Sequence, residues 1–172
     1  MSPVDPAPTE IPRLVRDAQR GDREAFAHLY ERFARMVHGI VLARIDRTDV
    51  DDVVQDVFVT ALDRLADLRE PAAFGGWLAA IARHRAADHG RRGVVTDALS
   101  ENTAPVRDPD RLEAFAILDA VRSLPDAYRE TLTLRLVEGM TGAEIAERTG
   151  LTTASVRVNL HRGMKLLREK LT

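Results

Sequence analysis

Apolar residues along this chain recur at steps of three and four, never in sustained alternation, so the pattern predicts helices and no strands. Leu14, Val15 and Ala18 predict a short helix ending at Gly21. Asp22 is a candidate N-cap for the next helix, along which Phe26, Leu29, Tyr30, Phe33, Val37, Ile40 and Val41 mark one long apolar face. Asp49 is a candidate cap for a third, Val50 to about Leu65, with Val53, Val54, Val57, Ala61 and Leu65 toward the core. Pro71 suits a first helical turn, and Phe74, Trp77, Leu78, Ile81 and Ala82 predict a fourth helix.

The periodicity lapses from Gly93 to Asp110, a stretch holding Pro105, Pro109 and the acids Asp97, Glu101, Asp108 and Asp110. That composition predicts a flexible acidic linker. Beyond it, Ala114, Ile117, Leu118 and Val121 predict a helix stopped near Leu124-Pro125, and Tyr128, Leu132 and Leu136 another, ended by Gly139. Prolines 3, 6, 8 and 12 mark residues 1–12 as a disordered tail. The fold expected is all-α: two small helical bundles, residues 13–92 and 111–172, joined by the flexible linker 93–110.

The last stretch has the most specific local chemistry. Thr141 and Glu144 have capping-box spacing, Gly150 suits a tight turn, and Thr152 is a candidate N-cap for a second helix. Val156, Leu160, Met164 and Leu167 form that helix's buried stripe, leaving Thr153, Arg157, Val158, His161, Arg162 and Lys165 on its surface. Helix, short glycine turn and longer basic helix is the layout of a DNA-reading helix-turn-helix. A helical hairpin with a solvated basic face would share it.

Charge sharpens the choice. The formal net charge is −2, so a nucleic-acid surface must come from segregation. It does segregate: after Glu147 the only acid is Glu169, against Arg148, Arg157, Arg162, Lys165, Arg168 and Lys170. A second basic surface is Arg83-His84-Arg85-Ala86-Ala87-Asp88-His89-Gly90-Arg91-Arg92. The third helix is the opposite. Its Asp52, Gln55 and Asp56 lie three and four apart on one surface, an acidic patch suited to a basic protein partner. Acids at a helix N-terminus also serve the macrodipole.

Other chemistries find no residues. The chain has no cysteine, hence no disulfide and no Cys-ligated zinc. His84 and Asp88 are four apart, but His89 does not complete a metal site on their face. There is no Gly-rich phosphate loop and no nucleophile motif, so no cofactor, no metal and no enzyme are expected. No apolar run reaches membrane-span length and the N-terminus has no signal-peptide pattern, so the expected location is the cytoplasm, without membrane insertion.

At this point three segments together resemble the bacterial RNA polymerase sigma factors of the extracytoplasmic-function group. Asp51-Asp52-Val53-Val54-Gln55-Asp56-Val57-Phe58 is similar to the acidic signature of their domain 2. Phe74 to Arg83, with Asp88 and Arg91-Arg92, resembles their Trp-Leu-x-x-Ile-Ala-Arg segment. Leu124-Pro125, Arg129, Glu138-Gly139, Glu144-Ile145-Ala146, Gly150, Val156-Arg157, Leu160 and His161-Arg162 resemble domain 4. The resemblance implies an alternative sigma factor that binds core RNA polymerase and directs promoter recognition. Asp52, Gln55 and Asp56 would dock on the polymerase clamp helices, with the flap as a further contact of the core enzyme. Arg69, Arg83, His84, Arg85, Arg91 and Arg92 would face the −10 promoter DNA, and Thr153, Arg157, Val158, His161, Arg162 and Lys165 the −35 DNA. An anti-sigma protein is an implied regulator. His84 stands where the family often has Asn, Ala154 where it commonly has Gly, and Val158-Asn159 where Ser-Arg is more usual. The competing readings are an operator-binding regulator, which would dimerise on palindromic half-sites, and a helical adaptor with no DNA role.

Overall fold

The computed structural model describes residues 10–96 and 109–172. Among them the chain forms α1 (Glu10–Gln19), α2 (Arg23–Leu42), α3 (Val50–Arg64), α4 (Phe74–Thr96), α5 (Pro109–Arg122), α6 (Asp126–Leu136), α7 (Gly142–Thr149) and α8 (Thr153–Leu171), and no strand. Short 3-10 turns at Arg47–Asp49, Leu65–Asp67 and Pro71–Ala73 join the helices of the first bundle, α1–α4. Helices α5–α8 make the second.

Local chemistry sets most helix ends. The Asp22 carboxylate accepts from the Glu24 and Ala25 amides, filling two donors that a helix start leaves open. Thr141 and Glu144 close a reciprocal capping box on α7, and Thr152 accepts from the Ser155 amide on α8. Gly150 ends α7 at φ +76°, a conformation that costs a residue with a Cβ dearly.

Several expectations shift. Asp49 makes no capping bond to α3; a 3-10 turn precedes the helix, and its carboxylate pairs with His89 Nε2 at 3.1 Å, tying α4 to the start of α3. Of the expected tail, 1–9 lies outside the described residues, while Glu10 opens α1 and Pro12 sits in its first turn, where no amide donor is missed. Of the expected linker, 97–108 lies outside the described residues; 93–96 continue α4, and Pro109 opens α5. Tyr30, expected on the apolar face of α2, and Leu136, in the periodic row that predicts α6, are 43% and 46% exposed. Tyr30 lies on the edge of its face and covers Phe58, with ring centroids 4.4 Å apart.

The two bundles are packed against each other, and one apolar core runs through both. Leu118, Leu134, Met140, Ile145, Ala146 and Val156 of the second bundle join the cluster that contains Phe33, Val37, Ile40, Phe74 and Leu78 of the first. A smaller cluster of Val121, Leu124, Leu132 and Leu167 belongs to the second bundle alone. Small residues allow the close approach. A Cβ on Gly39 of α2 would lie 2.6 Å from Leu134 Cδ2, and one on Gly75 of α4 would overlap the Arg148 carbonyl of α7.

Candidate functional site

On α3 the apolar side (Val53, Val54, Val57, Phe58, Ala61) is buried, so the other side faces solvent. Asp52, Gln55 and Asp56 are exposed there, and their side chains make no hydrogen bond or ion pair within the described residues. Val59 and Leu62, 59% and 52% exposed, continue the face. Carboxylates left unpaired beside exposed apolar side chains form a surface for a partner with cations and apolar groups.

The connector from α3 to α4 is fixed from below. Leu68 and Pro71 are buried, Glu70 caps the Pro71–Ala73 turn by accepting from the Ala72 amide, and Arg69 projects into solvent. Gln19 of α1 donates to the Leu65 and Leu68 carbonyls at 3.0 and 2.9 Å. Sequence reading missed Gln19, since nothing local marks a polar residue at a helix end as the clamp of a loop 46 residues on.

Along α4, His84, Arg91 and Arg92 are exposed and Arg85 is half-buried. Asp88 lies among them: it accepts from Arg91 and stands 3.2 Å from His84 Nε2. The Arg91 hydrogen bond, then the His84, Arg91 and Arg92 charges, hold its carboxyl below the ordinary range against some desolvation. The ionised Asp88 therefore orders these cations while neutralising one of their charges.

Arg83 is placed differently from its neighbours. Its Nε and Nη2 donate to the two carboxylate oxygens of Glu130 on α6, at 2.9 and 2.7 Å, and Arg44 Nη2 reaches the same carboxylate at 2.7 Å. Arg83, expected on the −10 surface, is thus taken up by the other bundle. The Glu130 side chain is only 6% exposed. Burial pushes its carboxyl up, but hydrogen bonding and charge from Arg83, then from Arg44, outweigh that and leave it lowered.

Two more pairs cross the same seam. Arg32 of α2 donates to Glu147 of α7 at 3.0 Å, and His38 of α2 pairs with Glu138 after α6. In the reverse sense, Arg122 of α5 donates to the Leu42 and Ile45 carbonyls, and in the same sense as the two pairs the Arg47 guanidinium lies 3.3 Å above the Phe115 ring centre. The Glu138 hydrogen bond raises the His38 pKa; burial opposes it, and the Glu138 and Asp51 charges add to the rise. A raised folded-state pKa means that this contact's stabilisation is fully present below ~6.5, the unfolded value, and is lost as pH climbs through the folded value. An NMR titration of the free chain should find His38 titrating above that reference, and Glu138→Gln should lower it. A His38 midpoint unchanged by Glu138→Gln would show that the pair does not form in solution.

On α8 the buried side is Val156, Gly163 and Leu167, with Leu160 and Met164 half-buried. Gly163 lets α8 lie close on α6: a Cβ there would stand 3.0 Å from Leu132 Cδ1. All six expected −35 residues, Thr153, Arg157, Val158, His161, Arg162 and Lys165, are exposed. Asn159 is not among them in role, because its Nδ2 donates to Thr131 Oγ1 of α6 at 3.4 Å and so braces the helix.

Among the described residues no group of acids and histidines is placed to hold a metal ion, and no helix is long and apolar enough to cross a membrane.

Comparison with known proteins agrees with this layout. The family model of sigma-70 region 2 matches residues 29–94, and that of sigma-70 region 4 matches residues 114–167. The chain is 30% identical to the ECF RNA polymerase sigma-E factor of Haemophilus influenzae, over 92% of this chain and 93% of that one. It is 31% identical to the ECF RNA polymerase sigma factor SigD of Mycobacterium tuberculosis, over 92% of this chain and 82% of that one. A similar solved fold is CnrH in complex with the cytosolic domain of CnrY, at 28% identity and a TM-score of 0.65, covering 94% of this chain and 96% of that one. With region 2 on its first bundle, region 4 on its second and near full-length relatives of one kind, the chain belongs to the sigma-70 family of RNA polymerase sigma factors, in the extracytoplasmic-function group.

Proposed function

We propose that this protein is an alternative sigma factor that binds core RNA polymerase and directs it to promoters. Region 2 docks on the polymerase through Asp52, Gln55 and Asp56, and presents the 67–74 connector and the exposed α4 cations to the −10 element. Region 4 reads the −35 element with α8. The observation that carries the reading is the exposed row on α8 behind a capped helix-turn-helix. A sigma-70 family chain with no phosphate loop or nucleophile motif is an initiation factor working on another protein's active site. Its place of work is the cytoplasm, beside the polymerase. The similarity to CnrH, solved with a cytosolic polypeptide, supports an anti-sigma protein as regulator.

The test is in vitro transcription with purified core polymerase on genomic DNA. Addition of the chain should start transcripts at a defined promoter set that core alone does not use. Specific DNA binding by the free chain as a dimer, indifferent to core, would point to an operator-binding regulator instead. Asp52→Arg and Asp56→Arg should each weaken core binding in a competition assay, with helicity kept, since exposed charges stabilise the fold by under about 0.5 kcal/mol. Undiminished affinity in the folded double variant would remove the docking assignment.

A further inference from the structure

The middle of the connector between α3 and α4 is extended. Leu68 sits at φ −73°, ψ 107° and Glu70 at φ −111°, ψ 99°, with Arg69 between them in solvent. A short extended span outside any sheet has no ladder of its own, so its course is set by what holds its two ends. The far end is held from within. The Glu70 side chain accepts from the Ala72 amide and its carbonyl from the Ala73 amide, which closes the Pro71–Ala73 turn. The near end is held from another helix, by Gln19.

Gln19 is the last residue of α1, and α1 packs on both 3-10 turns that bound the span. Buried Leu14, Val15 and Ala18 fix that helix in the first bundle. The Gln19 side-chain amide carries two N–H groups, and each finds a carbonyl: Leu65 at 3.0 Å and Leu68 at 2.9 Å. The Leu65 carbonyl already accepts from the Leu68 amide at 3.2 Å inside the turn, so Gln19 fills its second lone pair. The two carbonyls also fix which end of the amide points inward, since an oxygen there would face two acceptors. One planar group thus ties the start of the first turn and the start of the extended span to a packed helix. Gln19 is half-buried, so its bonds add little to the stability of the fold. Their larger effect is on direction, because a loop presents its side chains only as precisely as its support holds it. Gln19 also lies ahead of residues 29–94, the part that matches region 2, so the clamp comes from outside the segment it serves.

We infer that Gln19 is a positioning residue for −10 recognition: by holding the Leu65 and Leu68 carbonyls it sets the course of residues 68–70, and with it how the connector is presented to DNA. The clamp rests on the geometry alone; its effect on promoter choice rests on the functional reading above, in which this connector meets the −10 element.

Two substitutions separate the donor from the bulk. Gln19→Met keeps a long unbranched stem and good helix propensity and removes both N–H groups. Gln19→Glu keeps the shape and turns an oxygen toward the two carbonyls. In the free chain each should speed hydrogen exchange at the Leu68 amide. With reconstituted holoenzyme, transcription from a library of −10 sequences should show the loss of discrimination. The ratio of output from the preferred sequence to that from its single-base variants should fall about tenfold, as for loss of two neutral hydrogen bonds. Footprints at the −35 element and affinity for core polymerase should not change. Wild-type discrimination kept by both variants overturns the inference, and so does unchanged exchange at Leu68. Equal losses at −10, at −35 and in core binding would mean that Gln19 serves the fold in general, which overturns it as well. A wild-type holoenzyme indifferent to the −10 sequence, with Leu68 exchange still speeded in the variants, keeps the clamp but overturns its role in recognition together with the functional reading. If Gln19→Glu does not fold, Gln19→Met decides alone.

Discussion

Alanine at Arg157, His161 and Arg162 together is expected to abolish −35-dependent transcription by the holoenzyme. All three side chains are exposed on the open side of α8, and the opposite side is anchored by Val156, Gly163 and Leu167. Their removal therefore leaves the fold intact. An arginine that reads a guanine edge contributes ~1–3 kcal/mol, and its loss relaxes preference at one position. An arginine on phosphate weakens all sequences alike and flattens the salt dependence. Single variants on a randomised −35 library, run at several salt concentrations, assign each residue to one class. Val158, 43% exposed between them, can touch a thymine methyl, so Val158→Ala should change preference with little change in salt slope. Asn159→Ala is the contrast: it loosens the brace to Thr131 and should weaken binding without changing the preferred sequence. Wild-type output and preference in the triple variant would show that α8 does not read the promoter.

Features that depend on near neighbours were legible in the sequence. Asp22, Thr141, Glu144 and Thr152 cap as their spacing says, because a cap bond reaches only two or three residues. The buried stripes of α3 and α8 follow from helical spacing for the same reason. What depends on distant residues was not. Glu130 sits in mid-helix with nothing apolar to announce its burial; its partners lie 47 and 86 residues away. Arg83 reads as one more basic residue until Glu130 is known. Asp49 has the residue type and place of a cap, but the His89 side chain competes for it from 40 residues on. Periodicity assigned a core face to each bundle and could not say that those faces meet. The one local hint was glycine. Gly75-Gly76 opens a helix, where glycine costs stability, and only close backbone approach explains its presence.

Phe74→Ala is expected to be among the most destabilising single substitutions in the chain. Phe74 is fully buried at the junction of the Pro71–Ala73 turn and α4. Its ring meets Phe33 edge-on at 5.1 Å between centroids and Trp77 at 5.8 Å. Truncating a buried Phe costs ~3–5 kcal/mol, transfer and cavity together. Domains hold ~5–15 kcal/mol in all, so about a fifth or more of the stability should go. In a chain of this size each kcal/mol lowers the melting temperature by ~2–4 °C, giving a drop of roughly 6–20 °C. Val59→Ala, on an exposed site of α3, is the control and should shift melting hardly at all. Because Phe74 shares one core with Leu134, Met140 and Ile145, the free chain should still melt in a single transition, with both bundles failing together. The functional loss should be uneven. The cavity opens beneath the −10 connector, whereas α8 is held through its Leu167 in the second cluster with Val121, Leu124 and Leu132. Below the new melting point, promoter opening should fall further than −35 binding, measured by permanganate reactivity and by footprinting on the same holoenzyme. A melting temperature within a degree or two of wild type would mean that Phe74 is not the keystone of this junction, and equal losses at both elements would mean that the cavity does not act through the connector.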